Sequence, residues 1–212
     1  MHRHSREVGR VVIEFDRATH TYTLGGRRLP SVTQVLDPLG SYAGIPLEVL
    51  ERKADIGDAV HLASEMYDRG ELDIGSVPKE IAGYFAGWVK FREETGFIPR
   101  SIEERVWSER HHFAGTLDRT GTFAKLDGIK PAGMALVDLK CTYRLLPAVG
   151  PQLAAYATAW DERNKPRRIN HRFAVRLTAD GKYELKEHTD ITDKSVFLSA
   201  LTLFFWKQRH AA

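Results

Sequence analysis

The stretch of residues 135–141 places the strongest limit on how this chain can fold. Apolar residues alternate there with Asp138 and Lys140, and a period of two residues is that of a β-strand. Asp138 and Lys140 therefore extend from the same face of the strand. The other residues are apolar enough to be buried in a sheet, so the two charges on this face need an explanation.

An acid and an amine two residues apart on one strand face suit the metal-dependent cleavage of a phosphodiester. The Asp138 carboxylate can hold a hard divalent cation through oxygen. The Lys140 ammonium can stabilise charge on the scissile phosphate or orient the attacking water. An isolated Asp-x-Lys is also typical of a surface ion pair on an edge strand, so the rest of the sequence has to decide between the two interpretations.

Residues on both sides of this strand favour the functional interpretation. Asp118 closes a strand-like run at 114–117, about 20 residues before Asp138, a separation that allows two neighbouring strands in one sheet. Gly115 leaves room for a backbone or a ligand to come close. Gln152 and Tyr156 are four residues apart in a helical pattern, so they share one face of a helix.

The succession of Gly-x-x-Asp, Asp-x-Lys and Gln-x-x-x-Tyr resembles the RecB-like branch of the PD-(D/E)XK nuclease superfamily. This branch includes the nuclease domains of recombination helicases and the mitochondrial genome maintenance exonuclease, and the similarity covers roughly residues 30–160. The resemblance implies an α/β fold with a three-layer, restriction-endonuclease-like core. In such a core a central mixed β-sheet is flanked by helices, and an N-terminal helical subdomain forms one wall of a cleft.

Length and composition agree with a single domain over residues 1–212. A chain of 212 residues that is 42% hydrophobic suits one α/β domain with a sizeable core. We expect the helical wall at about 30–100, the catalytic sheet and the Gln-x-x-x-Tyr helix at about 101–190, and a C-terminal helix at 191–212. Because the net charge is only +3, a nucleic-acid binder of this kind has to gather its positive charge locally, around a negative metal pocket.

Hydrophobic periodicity predicts the individual elements. An aromatic stripe in the second long helix is predicted to be core, although such a stripe can also stack bases. The last helix is apolar on all sides, which indicates burial against the sheet or against a partner. We expect helices at 46–68, 78–95, 151–164 and 193–210, and strands at 11–15, 21–24, 102–107, 114–118, 135–141, 173–177 and 183–188.

A histidine in the first long helix is a candidate metal ligand. His61 lies on a narrow stripe of small residues, where a helix can pack closely on a sheet. An isolated histidine on such a stripe is usually structural. RecB-like nucleases carry a metal-binding histidine on a helix before the catalytic sheet, so the resemblance implies that His61 is a ligand, and an imidazole ligand favours manganese alongside magnesium. The stripe consists of Leu50, Ala54, Gly57, His61 and Ser64.

The resemblance also implies the remaining metal ligands. Asp118 and Asp138 would bind the metal, and the Leu139 carbonyl would be a further ligand. An acid from the predicted strand at 102–107 would complete the shell, where Glu103, three residues before Val106, is the better match and Glu104 is the alternative. The expected ion is Mg²⁺ or Mn²⁺.

The same resemblance assigns roles around the metal. Lys140 would position the nucleophile or offset charge in the transition state. Gln152 and Tyr156 would orient Lys140 and the scissile strand.

Two further stretches are candidates for DNA contacts. Ser31 or Thr33 can cap a short helix, and the similarity of this Pro-Ser-Val-Thr stretch to relatives implies that both hydroxyls also meet a DNA phosphate. Arg167 and Arg168 belong to the strongest basic run, residues 165–172. That run either binds DNA phosphates or is a solvent-exposed connection between a helix and a strand.

The single cysteine and the lack of long apolar runs exclude several classes of protein. Cys141 alone cannot form an internal disulfide or a four-thiolate iron–sulfur cluster, which several relatives carry. Its alternation away from Asp138 and Lys140 indicates a core thiol. No run approaches the ~18 apolar residues of a membrane span. The basic residues 1–10 are followed by no apolar segment, so we expect a cytoplasmic protein of bacterial or phage origin with no membrane partner.

These expectations converge on a metal-dependent deoxyribonuclease. We expect an exonuclease that acts on DNA ends or single strands in recombination, repair or phage replication, with DNA and a recombination or replication protein as partners. Two alternatives stay open. One is a structure-specific endonuclease on the same fold, and the other is a non-catalytic module that binds DNA ends.

Overall fold

A five-stranded β-sheet covered by helices forms the main body of the protein. The computed structural model describes residues 12–39, 47–126 and 133–211, without the side chain of Leu47. The strands are β1 (Ile13–Asp16), β2 (Thr21–Leu24), β3 (Arg27–Leu29), β4 (Phe97–Ser108), β5 (Phe113–Phe123), β6 (Met134–Lys140), β7 (Ile169–Leu177) and β8 (Tyr183–Glu187). The helices are α1 (Val32–Leu36), α2 (Leu47–Arg69), α3 (Lys79–Thr95), α4 (Val149–Arg163) and α5 (Asp193–His210).

The main sheet is mixed, and its strands follow the order β4-β5-β6-β7-β8. Strands β6 and β7 are parallel and are joined through α4, whereas the other neighbouring pairs are antiparallel. The expected α/β class is therefore confirmed. The expected neighbourhood of the Asp118 and Asp138 strands is confirmed as well, since β5 pairs directly with β6.

Helices cover both faces of the main sheet. Neighbouring residues of β6 show this, because Leu136 packs in a cluster with α1, α4 and α5, whereas Val137 packs in another cluster with α2 and α3. The helices of the predicted N-terminal wall are thus divided between the two faces. Burial of each apolar helix face against the nearest sheet face accounts for this division.

A second sheet of three antiparallel strands, β1-β2-β3, precedes the main body. Tyr22 of β2 is buried together with Trp107 and Ala114, so the small sheet packs where β4 and β5 meet. The Tyr22 hydroxyl also forms a 2.8 Å hydrogen bond with Thr116. The strand predicted at 11–15 corresponds to β1, and its first residue, Val11, lies outside the described residues.

The packed face of α2 differs from the predicted small-residue stripe. Ala54 is exposed, and a Cβ added at Gly57 would meet no heavy atom within 4 Å, so the helix does not approach the sheet at that level. Ile56 and Val60 are buried there, because their side chains remove more apolar surface from water than alanine or glycine. The predicted start of the helix, Pro46, lies outside the described residues.

Several boundaries extend beyond the predicted ones, and β4 begins at Phe97, five residues before the predicted strand at 102–107. Asp118 lies inside β5 and not at its end, because the strand continues to Phe123, which pairs with Phe97 of β4. Strand β7 begins at Ile169, so half of the basic run 165–172 belongs to a strand. Helix α4 begins at Val149, two residues before the predicted proline, which a first helical turn tolerates.

Helices α3 and α5 resolve two of the open alternatives. The aromatic stripe of α3 is core, since Trp88 and Phe91 are completely buried. Helix α5 packs chiefly against α4 and α1, and its Phe197 ring also contacts Phe113 of β5 at 4.8 Å between ring centroids. It leaves Leu203 and Trp206 about half exposed. Across residues 12–39, 47–126 and 133–211, none of the helices combines the length and hydrophobicity needed to cross a membrane.

Candidate metal centre

The site begins where strands β5 and β6 cease to pair. The last residues that pair through their backbones are Arg119 of β5 and Val137 of β6. Asp118, which precedes Arg119 in the chain, contacts β6 through its side chain. Asp118 Oδ2 accepts a 2.7 Å hydrogen bond from the backbone N–H of Leu139. A carboxylate therefore replaces a strand carbonyl, which fixes this buried acid between the two strands.

The direction of the Leu139 carbonyl follows from that of its N–H. The N–H and the C=O of one strand residue point toward the same neighbouring strand. Since the Leu139 N–H points toward Asp118, its carbonyl is directed toward the same gap between β5 and β6.

Glu103 supplies a second carboxylate from β4. It stands between the paired residues Ile102 and Glu104, at the level of Asp118 in β5. Its backbone φ is 49°, in the left-handed region that residues other than glycine seldom adopt. Such strain is found most often at functional sites.

The choice between Glu103 and Glu104 is settled by their partners. Glu103 Oε1 lies 3.8 Å from Nδ1 of His61, on the α2 side of the sheet. Glu104 accepts a hydrogen bond of 3.3 Å from Nε1 of Trp160, on the opposite side. Only Glu103 is therefore in the neighbourhood of the histidine.

His61 completes a group of three possible ligands. Its Nδ1 lies 3.7 Å from Asp118 Oδ2, and one ligand atom each from His61, Glu103 and Asp118 lie within 4.8 Å of one another. These separations are longer than a hydrogen bond. They suit a shared ion, because two ligand atoms that each lie about 2.1 Å from the ion stand about 3–4 Å from each other. The three residues can therefore hold a metal ion, as predicted.

The charge of His61 responds to the two acids. Burial by itself lowers the pKa of His61, but the negative charges of Asp118 and Glu103 outweigh it and raise this pKa to about 9. The imidazole is thus cationic at neutral pH without a metal. A metal ion in the centre would take the place of this proton.

Asp138 and Lys140 lie next to this group and pair with each other. Lys140 Nζ is 2.6 Å from Asp138 Oδ2, which confirms that both residues share one face of β6. Asp138 Oδ2 nevertheless accepts no oriented hydrogen bond from the part of the chain that the structure describes. We conclude from the short distance that the contact is an ion pair with poor hydrogen-bond angles.

Asp138 is harder to ionise than an ordinary aspartate. Burial raises the pKa of Asp138 to about 6, Lys140 opposes this increase, and the charge of Asp118 adds to it. Asp138 was predicted as a ligand together with Asp118. The structure places its carboxylate against Lys140, outside the group formed by His61, Glu103 and Asp118.

Gln152 and Tyr156 approach the site from α4. Gln152 Nε2 donates a 3.3 Å hydrogen bond to the Tyr156 hydroxyl, so they share a helix face as predicted. A Cβ at Gly115 would lie 2.5 Å from the Tyr156 ring, so the glycine provides the space that the ring occupies. Burial raises the pKa of Tyr156, and the charge of Asp138 raises it further.

The cysteine at the end of the strand is not part of this chemistry. Cys141 is half-buried against the α2 and α3 side of the sheet. Burial raises the pKa of its thiol to about 12, so the thiolate is not populated at neutral pH.

The predicted capping function of Ser31 is confirmed. Its hydroxyl accepts a 3.1 Å hydrogen bond from the Gln34 N–H, and the Gln34 side chain accepts one from the Ser31 N–H. Thr33 is exposed and its hydroxyl lies 3.0 Å from that of Ser31.

Arg167 and Arg168 lie far from Gln152 and Tyr156. Both are exposed and follow the C-terminal end of α4, whereas Gln152 is near its N-terminal end. The intervening helix is roughly 16 Å long at 1.5 Å per residue. Arg168 lines an open cavity of about 700 Å³ in which basic residues are mixed with acids such as Asp161.

The sequence analysis missed a buried arginine beside the metal centre. Arg119 is completely buried and forms ion pairs with Asp68 and Glu103. Part of a signal was present, because His61, Ser64 and Asp68 are spaced to share one face of α2.

No protein-family model and no curated protein matches this chain. The functional interpretation therefore depends on the residues and geometry of the centre.

Proposed function

We propose that the protein is a divalent-metal-dependent deoxyribonuclease that hydrolyses phosphodiester bonds. The observation that carries this proposal is the approach of His61, Glu103 and Asp118 to within 4.8 Å, next to the Asp138–Lys140 pair. Two carboxylates and one imidazole form a mainly hard set of donors, which suits Mg²⁺ and Mn²⁺. A bound ion would polarise the phosphate and lower the pKa of an attacking water.

The residues around the centre have complementary roles in the proposed reaction. Lys140 stands beside the centre as a cation that can stabilise charge developing on a phosphate oxygen. Asp138 holds the Lys140 ammonium on the site side of β6 through their 2.6 Å contact. Tyr156 and Gln152 close the α4 side and limit where a DNA strand can lie.

We further propose that the substrate is DNA with a free end or a single-stranded segment, as in recombination, repair or phage replication. The support is the order of the Gly-x-x-Asp, Asp-x-Lys and Gln-x-x-x-Tyr motifs, whose residues the fold brings to one place. The charges of Asp138 and Asp118 both add to the effect of burial, which raises the pKa of Tyr156.

The direct test is a cleavage assay with end-labelled DNA. We expect single strands and duplexes to be degraded with Mg²⁺ or Mn²⁺ and to stay intact in EDTA. Ca²⁺ should bind without supporting turnover, because its coordination is loose and orients water poorly. Cleavage that persists in EDTA would contradict the metal mechanism.

A closed circular single strand separates the exonuclease from the endonuclease. We expect the circle to survive conditions that degrade the same sequence in linear form, because an exonuclease needs a terminus. Cleavage of both forms at the same rate would identify an endonuclease instead.

A further inference from the structure

Arg119 is a completely buried arginine that directs its donors toward the metal centre and the helix beside it. Its Nε donates to Asp68 Oδ2 at 2.7 Å, and its Nη2 donates to Ser64 Oγ at 3.1 Å. Its Nη1 donates to Glu103 Oε1 at 2.9 Å and to the Asp118 carbonyl at 2.7 Å. One side chain thus joins α2, β4 and β5.

These contacts lead to each of the three possible ligands. The Glu103 oxygen that accepts from Arg119 is the one that faces His61. Asp118 is held through its main chain. His61 is reached through Ser64, whose hydroxyl donates a 2.8 Å hydrogen bond to the His61 carbonyl.

Arg119 is itself held firmly. Its partner Asp68 has no exposed side-chain surface and accepts a 3.2 Å hydrogen bond from Trp88. Arg92 also pairs with Asp68 and donates a 2.8 Å hydrogen bond to the Phe97 carbonyl. Asp68 thus binds both arginines and fixes the position of the Arg119 guanidinium between α2 and the sheet.

We propose that Arg119 is the positioning residue of the metal centre, and that it sets the spacing of His61, Glu103 and Asp118 for a divalent cation. The inference rests on the proposed function insofar as a divalent metal is the ligand. The planar guanidinium offers several donors in fixed directions, and one of these holds the Glu103 carboxylate. A lysine has one nitrogen and cannot reach all four partners at once.

The test compares Arg119→Lys with the wild type in Mn²⁺ titration calorimetry without DNA. We expect the Mn²⁺ affinity to fall by about 10–100-fold, the usual effect of removing a partner that orients metal ligands. Unfolding in EDTA is measured in parallel. Arg92→Lys is the matched control, since Arg92 shares the buried partner Asp68 and has no contact with His61, Glu103 or Asp118 among the described residues. We expect Arg92→Lys to keep the wild-type affinity.

Two outcomes would overturn the inference. One is wild-type Mn²⁺ affinity in a folded Arg119→Lys variant. The other is an equal loss of affinity in Arg92→Lys, because the loss would then follow the packing around Asp68. If Arg119→Lys does not fold, Ser64→Ala takes its place, since it removes only the link to His61. Weaker Mn²⁺ binding by Ser64→Ala supports the inference, and unchanged binding overturns it.

The wild type separates this inference from the proposed function. Mn²⁺ binding without DNA cleavage contradicts the nuclease and leaves the comparison of Arg119→Lys with Arg92→Lys valid. A wild type that binds no Mn²⁺ contradicts both.

Discussion

The two central acids of the site, Asp118 and Asp138, lie on neighbouring strands in different electrostatic settings. Asp118 is fixed by the Leu139 N–H and faces the imidazole of His61 across 3.7 Å. Asp138 faces the ammonium of Lys140 at 2.6 Å, and burial raises its pKa to about 6. One acid is held at a distance that leaves room for an ion, and the other is already in contact with a cation.

This difference shows how similar residues acquire separate tasks. The half of the site on β4, β5 and α2 is arranged as a set of metal ligands. The half of the site on β6 and α4 contains the acid–amine pair of Asp138 and Lys140. The charge of this pair depends on the residues around it. Asp138 Oδ2 is already in contact with Lys140, so Asp138 would share an ion of the first half through its other carboxylate oxygen. Under the proposed function, metal binding falls chiefly to the first half and stabilisation of the reacting phosphate to the second.

The largest expected effect comes from removing the amine of the second half. Lys140→Ala should lower the rate of DNA cleavage by ~10²-fold or more, the typical cost of losing a group that stabilises transition-state charge. Mn²⁺ affinity should change little, since Lys140 is not a ligand. Initial rates on linear DNA measure the effect, and Lys79→Ala at an exposed position of α3 is the control. Cleavage by Lys140→Ala at the wild-type rate would remove Lys140 from the mechanism.

The next effect distinguishes the two acids by metal binding. Asp118→Asn should lower Mn²⁺ affinity by at least about tenfold, because even indirect ligand partners contribute that much. The asparagine oxygen can still accept from Leu139, so the fold should be kept. Asp138→Asn should weaken Mn²⁺ binding less. If titration calorimetry shows the reverse order, the roles of the two halves are exchanged.

The third effect is a pH dependence of Mn²⁺ affinity, which we expect from His61 in the half of the site on β4, β5 and α2. Since the pKa of His61 is about 9, a metal must displace a proton, and Mn²⁺ affinity should rise by up to ~10-fold per pH unit below that value. His61→Gln should flatten the dependence and lower affinity moderately. Calorimetry at several pH values, in buffers of different ionisation enthalpy, measures the released proton. An identical slope in both proteins would show that His61 is only structural.

The same proton also affects the stability of the metal-free protein. The pKa of His61 in the fold lies above its ordinary value of 6.5, so the protonated form stabilises the fold. This stabilisation is complete below pH 6.5 and is lost as the pH rises through about 9. The difference in unfolding free energy between wild type and His61→Gln in EDTA should shrink over that interval.

The smallest effect is expected at Glu104. Glu104→Gln should leave Mn²⁺ affinity unchanged, because its carboxylate faces Trp160 and glutamine still offers an acceptor. Glu103→Gln should weaken Mn²⁺ binding, since its Oε1 belongs to the group around His61. Equal affinities in the two variants would mean that Glu103 is not a ligand.

Local periodicity made much of this arrangement predictable. The alternation around Asp138 gave the β6 strand and the common face of Asp138 and Lys140. The four-residue spacing of Gln152 and Tyr156 gave their common helix face, which their hydrogen bond confirms. These features depend only on the geometry of single elements.

Features that depend on distant contacts were not predictable in the same way. The position of Glu103 three residues before Val106 favours it over Glu104, but its left-handed conformation within β4 is a feature that alternation does not reveal. Arg119 and Asp68 are 51 positions apart in the chain, so their ion pair exists only after α2 has packed on the sheet.

The position of a bound ion tests the division of the site most directly. Crystals grown with Mn²⁺ can be measured at the manganese absorption edge, where anomalous scattering locates the metal. We expect a peak about 2.2 Å from Nδ1 of His61 and from carboxylate oxygens of Glu103 and Asp118, as in other sites of this type. A peak on Asp138 without His61 and Glu103, or no peak at this place when Mn²⁺ supports cleavage, would contradict the assignment of the metal to the first half.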